Sequence, residues 1–432
     1  MKRVLVVGGG LAGLSSSVYL SDYGFEVTLL EASPKLGGRT YSLYNERYED
    51  YFDNGQHILM GCYECTLDFI NKIGGTDKLY FQKSLEINFV KRGGDLFHLK
   101  AGKYFYPLNL LFAILKFKAL RLKDRFKIID FFLDLMCCFD EDLRDKTVKE
   151  WLQCKKQSDD SIKSFWEILV VGALNTTIEK ASAEMFAEIL KRIFLQGSKA
   201  STIVVPQTGL SLLFSELAGK FIETNHGQII LSEKVLEIEV SGKRVASVST
   251  DKNIYKNFDA VILAVPTFAL AKIQMTGTTL QFNIPDLQYS PIVNIHLWLS
   301  ENPFKEKFYG LIGSDIHWLF NHGTHITLMT SAADQIIALE NSEIKRHFCS
   351  ELEKYFSIFH SEMILDFVVI KEKRATFIPD ISSNRKRKEK VSSEIENLFF
   401  AGDWTDTDLP STIESAVMSG KLISEQVIPS LR

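Results

Sequence analysis

The sequence has no excess of positive charge, and this lack excludes one large class of partner. Lysine and arginine number 50 against 54 for aspartate and glutamate, so the formal net charge is −4. Nucleic-acid-binding domains carry a basic face that attracts phosphates, and we therefore expect no nucleic-acid partner. Internal repeats and low-complexity linkers are also missing. The 432 residues, 46% of them hydrophobic, suffice for two or three domains with a large core.

Cysteines are few and irregularly spaced, which argues against a disulfide scaffold. The six lie at positions 62, 65, 137, 138, 154 and 349, a distribution that fits a reducing compartment. Cys62 and Cys65 form one CxxC motif, but no second pair and no histidine at zinc-ligand spacing accompanies them. We predict no metal site and interpret the pair as helix packing, with redox chemistry as the less favoured alternative.

Long apolar runs are missing as well. Val4–Ser21 is uncharged like a signal peptide, but glycine and serine triplets interrupt it and no A-x-A cleavage site follows. A second uncharged run, Tyr104–Leu115, is too short to span a bilayer. Basic residues then alternate with apolar ones as far as Lys127. We predict that 104–127 is an interfacial helix on a membrane surface, the alternative being an amphipathic core helix with a solvated basic face.

The N-terminal residues have the pattern strand, tight turn, helix, strand. Val4–Val7 is a continuous apolar run, as expected of a buried parallel strand. In the G-x-G-x-x-G that follows, the first glycine permits the turn, the second lets the backbone approach a pyrophosphate, and the third allows close helix packing. The helix N-terminus adds unpaired N–H groups and a positive dipole end. The residues predicted to form this phosphate site are Gly8, Gly10, Leu11, Ala12 and Gly13.

Glu31 closes the second predicted strand, Phe25–Leu30, at about the 20-residue spacing expected after such glycines. An acid at this point accepts hydrogen bonds from ribose hydroxyls and repels the 2′-phosphate of NADP. We predict that Glu31 and its neighbour Ala32 contact a bound dinucleotide.

Two further glycine motifs bear on which dinucleotide binds. Gly37, Gly38 and Arg39 follow soon after Glu31, and a Gly402-Asp403 pair follows an apolar run near the end of the chain. This combination resembles FAD-dependent amine oxidases and carotenoid desaturases, and NAD-dependent dehydrogenases lack it. The resemblance implies FAD as the cofactor, with the arginine near its phosphates and the aspartate at its ribityl chain or phosphates.

The same resemblance extends to two other segments. A helix that begins near Thr412 and Ile413 would direct its N–H groups at the negative charge of a reduced flavin. Residues 232–265 read as a three-stranded meander followed by a buried strand. In the resembled enzymes this unit covers the adenine, which implies that Val235 contacts the cofactor.

Five stretches, in order along nearly the whole chain, resemble the hydroxysqualene dehydroxylases of bacterial hopanoid pathways. They are DNGQHILMGCYECTLDFINKIG (53–74), LVVGALNTTIEKASAEMF (169–186), YSPIVNIHLWL (289–299), KRATF (373–377) and AGDWTDTDLPSTIESAVMSG (401–420). The resemblance implies reductive removal of the hydroxyl of hydroxysqualene to give squalene, with hydride from N5 of reduced FAD. Such a pocket would be long, apolar and dry, and a proton or hydrogen-bond donor would assist the leaving hydroxyl.

The turn after Asp53 is the candidate catalytic wall. In the resembled enzymes this segment passes beside the isoalloxazine ring, which implies that Gly55 lets the backbone approach the flavin. Gln56 and His57 would then reach N5 or the leaving hydroxyl, and His57 is the candidate catalytic residue. The alternative is a histidine satisfied by backbone carbonyls at the end of a strand.

Aromatic side chains beside an allylic cation would stabilise it. The candidates are Trp166, Phe186, Trp298, Trp318 and Phe320. The chain departs from the family after Phe377, where the family tends to carry a proline-containing stretch that ends in Arg-Pro. Here the sequence is IPDISSNRKRKEK, which is basic and is predicted to form a loop.

The motif positions predict a Rossmann-type α/β domain that binds FAD and a discontinuous α+β substrate domain inserted into it, as in amine oxidases and phytoene desaturases. We expect the FAD-binding domain to comprise 1–85, 195–275 and 385–432. The substrate domain would comprise 86–194, predicted to be largely helical, and 276–384.

Other functions compatible with this pattern differ in chemistry. A carotenoid or phytoene-type desaturase would share the fold and run in the oxidative direction, whereas an amine oxidase would need an aromatic cage that the sequence does not suggest. A flavin-less carrier of lipidated proteins, such as a GDP-dissociation inhibitor, would show an eroded glycine motif. Because only one complete dinucleotide motif is present, either a visiting nicotinamide or a partner reductase or quinol would reduce the flavin. We expect a cytoplasmic enzyme in peripheral contact with the inner face of the membrane.

Overall fold

The computed structural model of the protein describes residues 1–102, 104–137, 140–279, 284–389 and 394–431. The strands, in chain order, are β1 (Arg3–Val7), β2 (Glu26–Leu30), β3 (Ser42–Asn45), β4 (Asp50–Asp53), β5 (Leu59–Met60), β6 (Leu79–Phe81), β7 (Glu86–Lys91), β8 (Leu96–Lys100), β9 (Ile203–Pro206), β10 (Gln228–Ile230), β11 (Val235–Ser241), β12 (Arg244–Thr250), β13 (Ile254–Lys256), β14 (Ala260–Leu263), β15 (Gln274–Thr276), β16 (Tyr289–Leu299), β17 (Phe308–Ile312), β18 (Trp318–Asn321), β19 (His325–Ser331), β20 (Ile364–Phe377) and β21 (Leu398–Phe400). The helices are α1 (Leu11–Asp22), α2 (Glu64–Lys72), α3 (Leu108–Lys116), α4 (Leu122–Cys137), α5 (Val148–Cys154), α6 (Asp159–Ser161), α7 (Glu167–Leu174), α8 (Ala183–Phe194), α9 (Leu217–Thr224), α10 (Thr267–Leu270), α11 (Asn341–Glu353), α12 (Ile381–Lys388) and α13 (Ile413–Ser430). Short 3₁₀ or π segments lie at 76–78, 140–143, 162–166, 211–216 and 361–363.

A five-stranded parallel sheet in the order β10-β2-β1-β14-β21 forms the centre of one half of the molecule. Val4 pairs with Val27 on one side and with Ala260 on the other, so strands from distant parts of the chain are neighbours. β1, β2 and β14 are almost entirely buried, as strands covered on both faces must be. The carboxyl ends of the strands meet at one edge, where ligands bind in open parallel sheets. The Rossmann-type α/β prediction is confirmed.

The helix α1 follows β1 and packs closely against the C-terminal helix α13. Glycines make this approach possible because any side chain would collide with backbone. A Cβ at Gly13 would lie 1.9 Å from the carbonyl oxygen of Gly8, and one at Gly420 would lie 2.3 Å from that of Ala12. The third glycine of the motif therefore lies against the preceding turn, and no other residue fits there.

The other half of the molecule is built on a seven-stranded sheet in the order β20-β16-β19-β18-β17-β7-β8. Its pairs are antiparallel except for β7 and β17, which run parallel. Because β7 and β8 belong to this sheet, the prediction that 86–194 is largely helical is wrong for 86–100. Gly93 and Gly94 both have positive φ and make the tight turn between the two strands. The apolar runs that form β7 and β8 are too short for periodicity alone to distinguish a strand from a helix.

Helices α3 to α8 pack on one face of the seven-stranded sheet and share a core with it. Trp166 and Phe186 are fully buried inside this layer. The ring of Trp166 lies 4.5 Å from that of Phe131 and 6.3 Å from that of Phe186, measured between centroids. These aromatic side chains hold the helices to one another.

The segment 104–127 is not the single helix that its sequence predicted. It forms α3 and the first part of α4, separated by the turn 117–121. Arg125 fixes this turn because its guanidinium donates to the carbonyls of Leu115 and Leu120, at 2.8 and 2.9 Å. Phe117 is fully buried and anchors the turn in the core. Within the described ranges, the helices are too short or too polar for any of them to cross a bilayer.

The basic stretch after Phe377 is also different from its prediction as a loop. Residues 381–388 form α12, whose N-cap Asp380 accepts a hydrogen bond from the N–H of Ser383 at 2.7 Å. Arg387 is 1% exposed and donates to the carbonyl of Thr405 at 2.6 Å and to that of Asp403 at 3.3 Å. The helix α12 therefore binds the backbone at the C-terminal Gly-Asp motif through Arg387.

Two buried histidines and one exposed histidine lie between the seven-stranded sheet and the β3–β4 hairpin. This histidine cluster consists of His296, His322 and His325. The hydroxyl of Thr327 bridges the first two, at 2.9 and 3.1 Å, and Nδ1 of His325 bonds to the carboxylate of Asp50 at 2.8 Å. Burial lowers the pKa of the imidazoles of His296 and His325. These two imidazoles are therefore neutral in the folded protein at physiological pH.

Candidate active site

One large cavity of about 1060 Å³ begins at the carboxyl edge of the parallel sheet and extends between helices α3, α4, α7 and α8. Its volume lies at the upper end of the range for small-molecule pockets. All but one of the residues predicted to bind the cofactor line it, namely Gly8, Gly10, Leu11, Ala12, Glu31, Ala32, Gly38, Arg39, Gly55, Gln56, His57, Val235, Gly402, Asp403, Thr412 and Ile413. The exception, Gly13, lies behind the wall in the contact between α1 and the glycine turn.

The glycine turn leaves open space where a phosphate would approach. Gly8 has a φ of +108°, which favours glycine, and a Cβ there would collide with a backbone oxygen 2.6 Å away. At Gly10 a Cβ would find its nearest atom 4.0 Å away, so the backbone here is accessible. The carboxylate of Glu31 accepts hydrogen bonds from the N–H groups of Gly9 at 2.6 Å and Ser33 at 2.7 Å. These bonds fix the acid beside the turn.

Arg39 and Asp403 form one ion pair, in which the aspartate is buried and the arginine side chain is 34% exposed. The guanidinium donates to the carboxylate at 2.7 Å and to the carbonyl of Ala375 at 2.8 Å, and Ser411 donates to the other carboxylate oxygen. Burial alone would raise the pKa of Asp403, but the adjoining guanidinium and these hydrogen bonds lower it. The sequence analysis treated the two residues as separate cofactor contacts. The structure joins the second glycine motif to the C-terminal motif through them.

The helix α13 presents its N-terminus to the same cavity. Thr412 is the N-cap, and its hydroxyl accepts a hydrogen bond from the N–H of Ser415 at 3.1 Å. Ile413 is the first helical residue, one position after the predicted start. The unpaired N–H groups of the first turn are therefore available to an acceptor in the cavity.

Glu414, in the first turn of α13, is a site residue that sequence analysis missed. Its carboxylate is 2% exposed and accepts from the N–H of Cys65 at 2.9 Å and from the N–H and hydroxyl of Thr66 at 2.8 and 2.6 Å. Burial raises its pKa against the opposing effect of these bonds. The carboxylate ties α13 to the start of α2. Glutamate is common in first turns, so its presence gave no signal of this contact.

His57 lines the cavity, but its ring is already engaged with the backbone. Nδ1 lies 2.8 Å from the carbonyl oxygen of Gly55, which can only accept, so Nδ1 carries the proton and Nε2 is left as an acceptor. Burial lowers the pKa of the imidazole. The arrangement matches the alternative of a backbone-satisfied histidine while keeping the ring at the cavity wall. A neutral imidazole in this tautomer has no proton to give from Nε2.

A neighbouring side chain lies close to Gly55. A Cβ at Gly55 would lie 2.7 Å from Nδ2 of Asn294, which donates to the carbonyl of Asn54 at 3.1 Å. A steric reason thus stands beside the one predicted for this glycine, close approach of the backbone to a flavin. Asn294 itself lies on β16 and lines the cavity, and nothing in its sequence context singled it out.

Asp53 and the CxxC motif have structural surroundings. The carboxylate of Asp53 accepts from Ser42 at 2.7 Å and from the N–H of Leu210 at 2.9 Å, and burial raises its pKa to about 6. Burial also raises the thiol pKa values, to about 12 for Cys62 and about 11 for Cys65. Thiols held protonated are poor nucleophiles, which favours helix packing over redox chemistry. Across the described residues, no three His, Cys, Asp or Glu side chains converge as metal ligands would.

The part of the cavity away from the parallel sheet is largely apolar. Trp318 and Phe320 line it, whereas Trp166, Phe186 and Trp298 are packed in the core and do not reach it. Other apolar walls are formed by Leu85, Ile87, Leu99, Leu110, Ile114, Phe132, Phe165, Ile168, Leu169, Ile189 and Phe194. Walls of this kind suit a hydrocarbon chain, because burial of apolar surface stabilises the complex and few polar groups must lose water.

The geometry of the glycine turn, the acid and the helix end is that of a dinucleotide-binding flavoprotein, and comparison with known proteins agrees. The family model for flavin containing amine oxidoreductases matches residues 11–428. The chain belongs to this family. It is accordingly a flavin-dependent oxidoreductase, and the two-part fold described above is that of the family.

Three comparisons report individual proteins that the chain is similar to. Hydroxysqualene dehydroxylase from Zymomonas mobilis is 26% identical over 428 residues, which cover 97% of each chain. 15-cis-Phytoene desaturase from Glycine max is 24% identical and aligns with 99% of this chain and 79% of its own. The structure of putrescine oxidase bound to putrescine superposes with a TM-score of 0.74 at 15% identity, covering 99% of both chains. The last comparison bears on the fold alone.

Proposed function

We propose that the protein is an FAD-dependent enzyme that removes the hydroxyl of hydroxysqualene reductively and yields squalene. The observation that carries this proposal is the continuity of one cavity between a dinucleotide-binding sheet edge and a largely apolar chamber. The similarity to the dehydroxylase from Zymomonas mobilis along 97% of both chains supports this choice of substrate.

The residues at the sheet edge fit FAD. The open position at Gly10 leaves room for a pyrophosphate, and the N–H groups at the start of α1 would bind it. Glu31, held by two backbone N–H groups, would accept the ribose hydroxyls. Arg39 and Asp403 would flank the chain between the ribose and the ring, and Val235 would contact the adenine.

Reduced FAD, when bound, would supply the hydride that replaces the hydroxyl, which would leave as water with one proton taken up from the medium. The amide of Gln56 can donate a hydrogen bond to the leaving oxygen, while Nε2 of the neutral His57 can accept one. His57 in this role orients the hydroxyl and does not protonate it. The apolar walls exclude water, which would otherwise recapture a cation and regenerate the alcohol.

An anaerobic experiment tests the proposal. The purified yellow protein is reduced with dithionite, hydroxysqualene is added in detergent, and flavin absorbance is followed while squalene is assayed by mass spectrometry. We expect flavin reoxidation with stoichiometric squalene. A flavin that stays reduced, with no squalene formed, would contradict the dehydroxylase function.

A phytoene-type desaturase is the second candidate. It is favoured by the similarity to the phytoene desaturase from Glycine max, which extends over 99% of this chain. Oxidised enzyme incubated with phytoene would then show bleaching of the flavin and new conjugated double bonds in the polyene. The two functions require opposite starting redox states, so the same preparation tests both.

We also propose that the surface around α3 and α4 contacts a lipid surface, from which a water-insoluble substrate would enter. Leu133 and Met136 are exposed and also line the cavity, so the cavity opens at this surface. Exposed lysines and apolar side chains alternate around this opening, as in interfacial helices. The exposed large apolar residues are Tyr104, Phe105, Leu122, Phe126, Leu133 and Met136.

Vesicle sedimentation tests this surface. Phe126→Glu should reduce binding to vesicles that contain anionic lipid, because a charge replaces an apolar side chain that is 57% exposed. Ile254→Glu is the matched control, since Ile254 is 64% exposed on the meander, away from the opening. Equal binding by the two variants would contradict the assignment.

A further inference from the structure

Asn294 lines the cavity and has an unused hydrogen-bond acceptor. The residue lies on β16, is 2% exposed and lines the cavity beside Gly55. Its Nδ2 donates to the carbonyl of Asn54 at 3.1 Å. Its Oδ1 is buried, and no donor lies within hydrogen-bonding distance among the residues that the structure describes. Buried amide oxygens are nearly always paired, so an unpaired one beside a ligand cavity indicates a donor that arrives with the ligand.

The side chains around Asn294 leave this acceptor to a ligand. Ile292, two positions earlier on the strand, and Met329, directly opposite on β19, line the same wall and carry no donor. Asn175, another asparagine of the cavity wall, has both ends of its amide engaged. Its Oδ1 accepts from the N–H of Ala332 at 2.7 Å, and its Nδ2 donates to a threonine hydroxyl at 2.8 Å. Asn294 therefore differs from Asn175 in having an unpaired amide oxygen.

We propose that Oδ1 of Asn294 accepts a hydrogen bond from the hydroxyl of the isoprenoid alcohol and makes the cavity prefer the alcohol to the parent hydrocarbon. The inference rests on the proposed function, which names an alcohol as substrate. Asn294 holds the loop that carries Gln56 and His57, so the hydroxyl would lie among these three polar side chains. In apolar surroundings a single hydrogen bond has a larger effect than in water.

The same contact would favour departure of the hydroxyl. When a proton from the medium converts the departing oxygen to water, its O–H becomes a stronger donor, and the bond to Oδ1 strengthens. An interaction that grows along the reaction lowers the barrier as well as binding the substrate. Squalene has no hydroxyl and loses this bond, which also eases product release.

A double comparison in the oxidised, flavin-loaded enzyme tests the proposal, because binding then occurs without turnover. Hydroxysqualene and squalene are titrated from the same detergent micelles into the wild type and Asn294→Leu, with flavin absorbance as the signal. Partition into micelles cancels when the ratio of the two Kd values is compared between proteins. We expect the preference for the alcohol to fall about fivefold in the variant, as one neutral hydrogen bond is lost, with squalene binding little changed.

Asn109→Leu is the matched control. Asn109 is also buried with an unpaired Oδ1, but it does not border the cavity. The substitution should leave the preference for the alcohol unchanged. An unchanged preference in Asn294→Leu, or an equal fall in the control, would overturn the proposal. So would a change in flavin affinity or spectrum without a change in preference, since it would assign Oδ1 to the flavin.

A ligand change tests the wild-type enzyme in case Asn294→Leu does not retain flavin. The O-methyl ether of hydroxysqualene keeps the oxygen but cannot donate a hydrogen bond. Equal affinity for the ether and the alcohol would refute the contact. Failure of the proposed reaction is a separate outcome: if reduced enzyme forms no squalene while the preference still depends on Asn294, the alcohol contact stands and the dehydroxylation does not.

Discussion

Replacing Glu414 with alanine should weaken two helices at once. The carboxylate belongs to the first turn of α13, and its three hydrogen bonds all come from the first turn of α2. After Glu414→Ala, the N–H groups of Cys65 and Thr66 and the hydroxyl of Thr66 lose their acceptor. Thr66 is 0% exposed, so water does not replace the carboxylate without opening the contact.

The expected loss follows from these three donors. A buried donor left unpaired costs about 1–3 kcal/mol. Partial relaxation of the helix ends reduces the sum, and we expect a loss of about 3–5 kcal/mol in the free energy of unfolding. Glu414→Gln keeps one amide oxygen for the same donors and should lose about 1–2 kcal/mol.

The glutamine variant should also remove a pH dependence. Because burial raises the pKa of Glu414 above its ordinary value of 4.5, the folded protein holds this proton where the unfolded chain releases it. The resulting stability is full below pH 4.5 and is lost as the pH rises through the folded pKa. In Glu414→Gln that component of the pH profile should be absent.

Thermal unfolding followed by circular dichroism measures both effects, and flavin retention on gel filtration reports the state of the cavity. We expect Tm to fall by at least about 4 °C in Glu414→Ala. Glu425→Ala, at an exposed position of the same helix, is the control and should change stability by less than about 0.5 kcal/mol. If the two variants unfold at the same temperature, the hydrogen bonds of Glu414 do not stabilise the fold as argued.

Three further changes have expected outcomes. Gly13→Ala should abolish flavin binding, since its Cβ would lie 1.9 Å from the carbonyl of Gly8, while Gly219→Ala, with its nearest contact at 3.5 Å, should keep a normal flavin content after purification. Arg387→Met should leave buried carbonyls at the C-terminal Gly-Asp motif unpaired. We expect the Kd for FAD to rise about tenfold, which corresponds to about 1.4 kcal/mol. Wild-type affinity of the variant, measured by titrating the apoprotein with FAD, would refute this. Because burial lowers the pKa of His296 and His325, the unfolded chain binds protons in a pH range where the folded protein does not, so their contribution to stability should be full above about pH 6.5 and fall below it; a Tm that stays constant from pH 7.5 to 5 would contradict this.

The parts of the site that the sequence predicted are those whose physical cause is local. Gly8, Gly10 and Gly13 have their roles set by the turn and the helix immediately around them. The contact between Arg39 and Asp403 joins residues 364 positions apart in the chain, and no spacing rule reaches that far. The hydrogen bonds of Glu414 and the unpaired oxygen of Asn294 were likewise not predicted, because they depend on packing between segments that are distant in the sequence.

The wrong predictions about helices have a related cause. The alternation of basic and apolar residues in 104–127 suits a helix throughout, but the turn there is fixed by Arg125 bonding to carbonyls and by burial of Phe117, which are tertiary effects. The basic composition of α12 is typical of a solvated loop, but Arg387 is buried against the C-terminal motif, which is a tertiary contact. In the same way, the sequence offered five aromatic candidates for the cavity wall, and only Trp318 and Phe320 line the cavity in the structure.

The strand order of the parallel sheet has a consequence for biosynthesis. β1 leaves the ribosome first, yet β14, its neighbour, pairs on its other side with β21, which is made nearly last. Until then the edge of β14 is open and α1 lacks the helix that covers it. During most of translation the nascent chain therefore has its first glycine turn but lacks the C-terminal part of the dinucleotide-binding site. We therefore expect cofactor loading to be a late event and a chain truncated before residue 398 to be colourless.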